Sequence, residues 1–305
     1  MSPEARRLAQ SVQARLLKHA RALGVDPNAV LARYGIERFL RRLGCSTYAD
    51  RFVLKGGMLL RVWLGETSRP TRDADFVGFG DLSSGELRRI FREVCGVEVE
   101  PDGLSYAPDS VRVAPIRVED AYGGRRVRLR GLLGKARLVV QIDVGIGDAI
   151  TPDPEWIDYP ALLDFPRPRL RAYRPETTIA EKLHAMAVLG MANSRMRDIF
   201  DIYELARRHA FDGAVLAQAV HDTFARRRTI VGPDLPAALT PEFGADRGKQ
   251  AQWRAFLRKN QMVEFPEDLL AATKAIVEFV GPVLDAATSG RAFGGHWTPG
   301  GRWHP

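Results

Sequence analysis

The spacing of apolar residues changes along the chain from a helical period to a strand period and back. Apolar positions recur about every 3.6 residues over 3–23 and 28–43, so both segments are predicted as helices. A short helix is predicted over 58–65 and a strand over 73–79. The segment DLSSGELRRIFREVC is predicted as an amphipathic helix, whose candidate N-caps are Asp81, Ser83 and Ser84.

Between residues 97 and 145 the period falls to two, which is typical of strands. The predicted strands are VEVE, VRVAPIRVED, RRVRLRGLL and ARLVVQIDVG, with turns at Gly123-Gly124 and Gly134-Lys135. The proline-rich segment 164–176 is predicted to be an extended linker. Helical patterns then continue almost to residue 287, with an interruption at VGPDLPAALTPEFGADRG.

Together these patterns predict a bilobed α+β protein that has a mixed sheet with flanking helices and a mainly helical C-terminal lobe. The predicted domains are 1–165, which holds the N-terminal helices and the sheet, and 166–288, which forms the helical lobe. Residues 289–305 are rich in Gly, Trp and His and are predicted to be a mobile tail.

Composition narrows the class of protein. Hydrophobic residues make up 45% and charged residues 27% of the 305, the balance of a globular protein with a sizeable core. The chain contains no run of 18 apolar residues and no signal-peptide block, so we expect no membrane span and a cytoplasmic location. Cys45 and Cys95 are isolated, which disfavours a disulfide framework or a zinc site. The net charge of +8 favours a polyanionic partner.

Two carboxylates one residue apart are the first candidates for chemistry. Asp73 and Asp75 fall in the predicted strand, so both side chains project from one face, whereas Ala74 and Phe76 project from the other. Two neighbouring carboxylates repel each other unless a cation lies between them, and oxygen ligands suit Mg²⁺ or Mn²⁺. The alternative is a solvated strand edge that carries two exposed acids.

A third carboxylate, Asp143, lies in the strongly apolar segment LVVQIDVG. If this strand neighbours 73–79, then Asp143 joins the other two acids as a ligand of the same metal site. Alternatively, Asp143 lies on an exposed face together with Gln141. Spacing alone does not favour either arrangement.

Other candidate groups flank these acids. Lys55, Gly56 and Gly57 precede a predicted helix, where glycine backbone could approach a phosphate, although most Gly-Gly pairs are ordinary turns. In the second half of the chain, Lys182 can extend beyond an apolar helical stripe. Arg195, Asp198 and Asp201 share one helical face, an arrangement equally expected of a salt-bridge ladder on a surface helix.

The segment RRVRLR predicts a surface for nucleic acid. Arg126, Arg128 and Arg130 share one strand face, and such a basic stripe suits a phosphate backbone. A second candidate is the run 226–228, which consists of three arginines. The alternative for each run is a solvated face with no partner.

Five blocks, in their order and spacing, resemble the AbiEii/AbiGii nucleotidyltransferase toxin family. They are LKGG (54–57), TRDADF (71–76), QIDV (141–144), AEKLHA (180–185) and RMRDIFDIY (195–203), and the resemblance spans roughly residues 37–205. The family belongs to the DNA polymerase β-like nucleotidyltransferase superfamily. Its members are toxins of toxin–antitoxin and abortive-infection pairs, and some add nucleotides to the 3′ end of tRNA.

The resemblance implies a role for each matching residue. Asp73, Asp75 and Asp143 are implied metal ligands, and the implied catalytic set adds Lys182, Asp198 and Asp201. The implied nucleotide-binding residues are Lys55, Gly56, Gly57, Arg72, Lys182 and Arg195. One departure is Gly57, which stands where the wider superfamily usually has serine, so no side-chain hydroxyl is available there.

The function implied is that of a Mg²⁺- or Mn²⁺-dependent toxin that transfers NMP from an NTP to RNA, expected to be the 3′ end of tRNA, and so blocks translation. NTP, RNA and a cognate antitoxin are the expected partners. The alternatives are nucleotidyl or phosphoryl transfer to a protein or small molecule, and a catalytically quiet module that binds nucleotide or RNA.

Overall fold

The fold was analysed on a computed structural model that describes residues 2–65, 69–71, 73–116, 123–230, 234–262 and 265–305. The first two helices lie close to their predicted bounds, as α1 (Pro3–Leu23) and α2 (Pro27–Gly44). Ser2 caps α1 by accepting the Ala5 N–H, and proline is the first residue of each helix, where its missing N–H costs nothing.

Seven strands of the described residues form one mixed sheet. They are β1 (Phe52–Lys55), β2 (Ala74–Gly78), β3 (Leu104–Pro115), β4 (Arg125–Leu133), β5 (Ala136–Ile146), β6 (Glu155–Asp158) and β7 (Arg169–Ala172). Their order in the sheet is β3-β4-β5-β2-β1-β7-β6. Strand β2 is parallel to β5 and antiparallel to β1, which in turn is parallel to β7. The predicted α+β class with a mixed sheet is confirmed.

Two helices follow β1 and β2, namely α3 (Leu59–Leu64) and α4 (Ser84–Cys95). Of the three candidate caps of α4, Ser83 is the one used, since its hydroxyl accepts the Glu86 N–H at 3.3 Å. Two sequence predictions are wrong here. Residues 97–100 form no strand, because alternating polarity without a neighbouring strand does not make a sheet, and part of the predicted linker 164–176 is β7, which pairs with both β1 and β6.

Contacts divide the chain into two compact units. Unit 1 comprises Met1–Val62, Thr71–Gly147 and Glu155–Ala172, and unit 2 comprises Trp63–Pro70, Asp148–Pro154 and Tyr173–Pro305. Unit 1 contains the seven-stranded sheet. Its core includes a cluster of aromatic rings with centroids 5.6–6.1 Å apart, formed by Phe39, Phe52, Phe76 and Phe91.

Unit 2 is mainly helical, as predicted for the second half of the chain. Its helices are α5 (Pro175–Leu189), α6 (Met196–Arg208), α7 (Gly213–Arg226), α8 (Pro241–Ala245), α9 (Arg247–Lys259) and α10 (Leu269–Ser289). None of the helices in the described residues combines the length and the apolar character that a membrane span requires.

The segment predicted to be a mobile tail is folded, which corrects that prediction. Strands β9 (His296–Trp297) and β10 (Trp303–His304) form a hairpin that extends β8 (Phe211–Asp212). Trp297 is buried, and its indole N–H donates to the Ala206 carbonyl at 2.7 Å. Glycine and proline in this segment therefore make the turns of a packed hairpin.

Candidate functional site

The predicted meeting of carboxylates occurs on the sheet of unit 1. Asp75 of β2 lies directly beside Asp143 of β5, because the two parallel strands pair in that register. Ala74 and Phe76 are fully buried on the opposite face, as the strand alternation predicted. Asp73 lies one residue before β2 begins.

Asp143 lies on a strand next to β2, as the first sequence alternative required, and on a partly exposed face, as the second did. Asp143 shares the partly exposed face of β5 with Gln141, while Ile142 and Val144 are buried on the other face. The same face of the neighbouring strand carries Asp75. Asp143 is thus an accessible acid, with 16% of its side chain exposed, and also a neighbour of the predicted metal ligand.

The Gly-Gly turn borders Asp75. Gly56 has a φ of +73°, and a Cβ placed there would lie only 2.3 Å from Oδ2 of Asp75. A residue with a side chain is therefore disfavoured at this position by backbone conformation and by space. Lys55 pairs directly across from Asp75 on β1, and Gly57 is buried in the turn. These positions bring the predicted phosphate-binding turn next to the carboxylates.

Arg126 contacts Asp143, a relation that the sequence analysis missed. Its Nε and Nη2 donate to the two carboxylate oxygens of Asp143 at 2.8 and 2.7 Å. The hydrogen bonds to Asp143 raise the pKa of Arg126, and the charges of Asp143, Asp73 and Asp75 raise it further. Counting outwards from the predicted Gly134-Lys135 turn would have paired Arg126 with Asp143, so the hairpin register was an available signal.

The carboxylates of Asp73, Asp75 and Asp143 have the chemistry that suits a divalent cation, although in this structure Asp143 is paired with an arginine. Within the described part of the chain, no three His, Cys, Asp or Glu side chains are placed to hold a metal ion as they stand. Both oxygens of Asp143 instead accept hydrogen bonds from the guanidinium of Arg126. Carboxylate oxygens are the ligands that Mg²⁺ and Mn²⁺ prefer. The metal-binding roles of Asp73, Asp75 and Asp143 stay predictions.

A second cluster of charges is buried within unit 2. The Lys182 ammonium lies 2.9 Å from a carboxylate oxygen of Asp198 and 2.6 Å from one of Asp201. Arg195 contacts Asp198 at 2.6 Å. The two aspartates are only 1% and 0% exposed, so they do not form a salt-bridge ladder on a surface helix. Burial alone would raise the pKa of Asp198, but the charges of Lys182 and Arg195 outweigh it and lower that pKa.

Sequence reasoning missed Arg69, the other partner of this cluster. Its guanidinium donates two parallel hydrogen bonds to Asp201, both at 2.7 Å, and its side chain is 9% exposed. Among the described residues the cluster then holds four cations, Lys182, Arg69, Arg195 and Arg197, against two carboxylates. No periodic pattern linked residue 69 to residue 201, and Arg72 lies outside the described residues. The excess positive charge suits an anion such as a nucleotide phosphate.

The predicted basic stripe lies on the same sheet face as Asp143. Arg128 and Arg130 are exposed, and with Arg112 of β3 they line a depression of about 270 Å³. In the second candidate run, Arg227 forms ion pairs with Asp148 at 3.0 Å and with Glu181 at 3.2 Å. Its charge is therefore balanced by acids of unit 2.

Paired acids on adjacent strands of a mixed sheet, beside a glycine turn, are the arrangement expected of the nucleotidyltransferase class. The sequence profile of the family described as the nucleotidyl transferase AbiEii toxin of type IV toxin–antitoxin systems matches residues 38–276. The chain therefore belongs to the AbiEii family, and it is a nucleotidyltransferase. The match continues well beyond residue 205, the end of the resemblance found from the motifs.

Two solved structures from Helicobacter pylori are similar to the chain at 16% sequence identity. One is JHP933, with a TM-score of 0.45 over 90% of this chain and 93% of that protein. The other is described as a candidate nucleotidyltransferase, with a TM-score of 0.44 over 95% of this chain and 97% of that one. A comparison with proteins of curated function found no match. The family assignment rests on the sequence profile.

Proposed function

We propose that this AbiEii protein is a Mg²⁺- or Mn²⁺-dependent toxin that transfers a nucleoside monophosphate from an NTP to an RNA hydroxyl, at the 3′ end of tRNA, and thereby blocks translation. The observation that carries the proposal is the side-by-side register of Asp75 and Asp143 next to Gly56. Membership of a type IV toxin family supports a cognate antitoxin as partner.

In this reaction the acceptor hydroxyl oxygen bonds to the α-phosphorus, the bond to the bridging oxygen breaks, and pyrophosphate leaves while the hydroxyl proton passes to solvent. Asp73, Asp75 and Asp143 would hold the divalent cation, which when bound makes the hydroxyl more acidic and offsets the charge of the triphosphate. The resemblance implies that the Gly56-Gly57 turn borders the triphosphate, and this turn lies against the carboxylate of Asp75. Lys182 and its neighbouring arginines would bind nucleotide phosphate.

The face of the sheet supports RNA as the acceptor. Arg128 and Arg130 extend from the carboxylates along β4, and Arg112 joins them from β3 across a directly paired position. Val139, 61% exposed, pairs with Arg130 from β5 and adds an apolar surface to the same depression. Successive residues of one strand face are about 6.6 Å apart, close to the phosphate spacing of an extended RNA strand. Fixed guanidinium groups at this spacing suit a phosphodiester backbone.

The test is incubation of the full chain with each labelled NTP, Mg²⁺ and total tRNA, followed by mass spectrometry of the RNA 3′ ends. We expect wild type to add nucleotide to tRNA and Asp75→Asn to add none. Asp158→Asn is the matched control, because Asp158 is an exposed acid of the same sheet on the edge strand β6. Folded wild type that labels nothing, or labels protein instead of RNA, contradicts the proposal.

A further inference from the structure

Four charged residues form one row across the sheet of unit 1. Lys55 of β1 pairs with Asp75 of β2, Asp75 pairs with Asp143 of β5, and Asp143 pairs with Arg126 of β4. Adjacent strands lie about 4.8 Å apart, so the row has two neighbouring carboxylates with a cationic residue on each side. The order of charges is positive, negative, negative, positive.

Arg126 makes the closest contact in this row. Its planar guanidinium binds both oxygens of Asp143, the geometry that gives the strongest carboxylate pairing. Those oxygens are the ones that a metal bound by Asp75 and Asp143 would need. The rise in the pKa of Arg126 shows that this cation also feels the charges of Asp73 and Asp75.

The ion pair between Arg126 and Asp143 is also placed so that Arg126 can exchange Asp143 for another anion. The side chain of Arg126 is 36% exposed, and β4 is held by its backbone ladder to β3 and β5 whatever the position of that side chain. Arg126 could therefore leave Asp143 and turn to an anion in solvent without loss of sheet pairing. An arginine fully buried beneath a helix could not do so.

We propose that Arg126 is an exchangeable counterion of the carboxylate site, which holds Asp143 until a divalent cation and a triphosphate arrive and then binds the triphosphate. This inference rests on the proposed function, because it takes Asp143 to be a metal ligand. Arg126 is thus a substrate-binding residue as well as a competitor of the metal, and its role differs from that of Arg128 and Arg130.

The charges explain why metal and triphosphate would bind together. A cation alone must displace Arg126 and leaves that guanidinium without its carboxylate. A triphosphate alone approaches two carboxylates and is repelled. A metal triphosphate supplies a cation for Asp143 and an anion for Arg126, so each component removes the obstacle to the other. Coupling of this kind commonly changes affinity by roughly 5- to 150-fold.

The alternative is that Arg126 and Asp143 form only a structural cross-strand pair. Cross-strand ion pairs of this type add modestly to sheet stability and have no bearing on ligands. The two interpretations differ in what happens when Arg126 is replaced. An exchangeable counterion predicts opposite changes in the affinities for a bare cation and for a metal triphosphate.

The test measures binding to the full chain without any acceptor or reaction. Mn²⁺ binding is followed by the electron paramagnetic resonance signal of the free ion, and magnesium tripolyphosphate binding by calorimetry. Arg126→Gln should bind Mn²⁺ about tenfold more tightly, since a neighbouring charge changes the proton affinity of a carboxylate by that order. The same variant should bind magnesium tripolyphosphate at least severalfold more weakly. Arg126→Lys should lie between wild type and Arg126→Gln in Mn²⁺ affinity, because an ammonium cannot make the bidentate pair.

Arg128→Gln is the matched control. It removes one positive charge from the same face of the same strand, but its guanidinium donates to neutral Gln141 at 2.8 Å. We expect its Mn²⁺ affinity to stay within about twofold of wild type, and Asp143→Asn to lose Mn²⁺ binding. Unchanged Mn²⁺ affinity in Arg126→Gln, or an equal effect of Arg128→Gln, overturns the inference. Because no transfer is measured, failure here leaves the labelling assay untouched, and a protein that fails to label RNA can still show the exchange.

Discussion

At the scale of single residues, the absence of a Cβ methyl group at Gly56 allows this turn to lie against the carboxylate of Asp75. Its positive φ alone would cost another residue about 1–2 kcal/mol. The carboxylate of Asp75 also occupies the space that a Cβ would need. The conformational cost and the contact with Asp75 can be separated, because other glycines of the chain have the first feature without the second.

We therefore predict that Gly56→Ala lowers the free energy of unfolding by roughly 1–3 kcal/mol more than Gly24→Ala does. Gly24 ends α1 with a φ of +65° and has open space around its Cβ position. Urea unfolding of both variants measures the difference. Equal losses would mean that the approach to Asp75 imposes no constraint.

Glu37 carries a pH dependence of stability. Burial raises its pKa from 4.5 to about 7, even though Arg38 lies close by and the Leu162 N–H donates to it. As pH rises between these two values, the unfolded chain loses this proton before the folded chain does. The free energy of unfolding contributed by Glu37 therefore falls over this window and is constant above it.

Glu37→Gln should remove this fall while keeping an oxygen that can accept the Leu162 N–H. Relative to the variant, wild type should lose roughly 3 kcal/mol at most between pH 4.5 and pH 8. Urea unfolding of both proteins at the two pH values tests this. A difference between them that does not change with pH would show that Glu37 is already ionised in the folded protein at low pH.

At the scale of elements, Arg69 ties a loop segment of unit 2 to α6 through Asp201. Asp201 is fully buried, and loss of its bidentate partner leaves Lys182 as the remaining cation that contacts it among the described residues. We predict that Arg69→Met lowers the free energy of unfolding by about 3–5 kcal/mol. Arg195→Met should cost only about 1 kcal/mol, because Arg195 is 40% exposed.

Thermal and urea unfolding compare the two variants, and a double variant Arg69→Met/Asp201→Asn checks the cause. Neutralising Asp201 should restore much of the stability lost with Arg69, since no unpaired charge then remains. If the losses of stability in Arg69→Met and in Asp201→Asn simply add in the double variant, then Arg69 and Asp201 are not coupled and the interpretation is wrong.

At the scale of the whole molecule, the net charge of +8 favours RNA binding only where the arginines are exposed and not paired within the protein. Arg227 is used internally and Arg126 binds Asp143, whereas Arg128 and Arg130 remain exposed on the sheet. If single-stranded RNA lies on that face, each of these two contacts contributes about 0.7 to the slope of log affinity against log salt.

Arg128→Gln/Arg130→Gln should therefore weaken RNA binding and reduce that slope by about 1.4. The control Arg88→Gln/Arg254→Gln removes the same net charge from exposed positions of α4 and α9. Fluorescence anisotropy with labelled tRNA at several salt concentrations measures both slopes. Equal effects of the two double variants would show that only net charge matters, and not the sheet face.

Much of the site could be predicted from the sequence because strand alternation is a local property of the backbone. It placed Asp73 and Asp75 on one face of their strand and Phe76 in the core before any neighbour was known, whereas the face of Asp143 stayed open. The motifs also placed Lys182 with Asp198 and Asp201 in one family pattern. The folded C-terminal hairpin was not predicted, because its glycines and prolines suit a turn and a tail equally well.

The sequence by itself determined which side chains face away from the core, the positions of most helices and strands, and the family. Only the tertiary structure decided that β2 lies next to β5, that Arg126 binds Asp143, and that Arg69 binds Asp201. The physical reason is the distance along the chain over which each kind of interaction acts. Periodicity and helix caps depend on a few adjacent residues, whereas strand neighbours and buried ion pairs are chosen by burial and charge compensation among residues far apart in the chain.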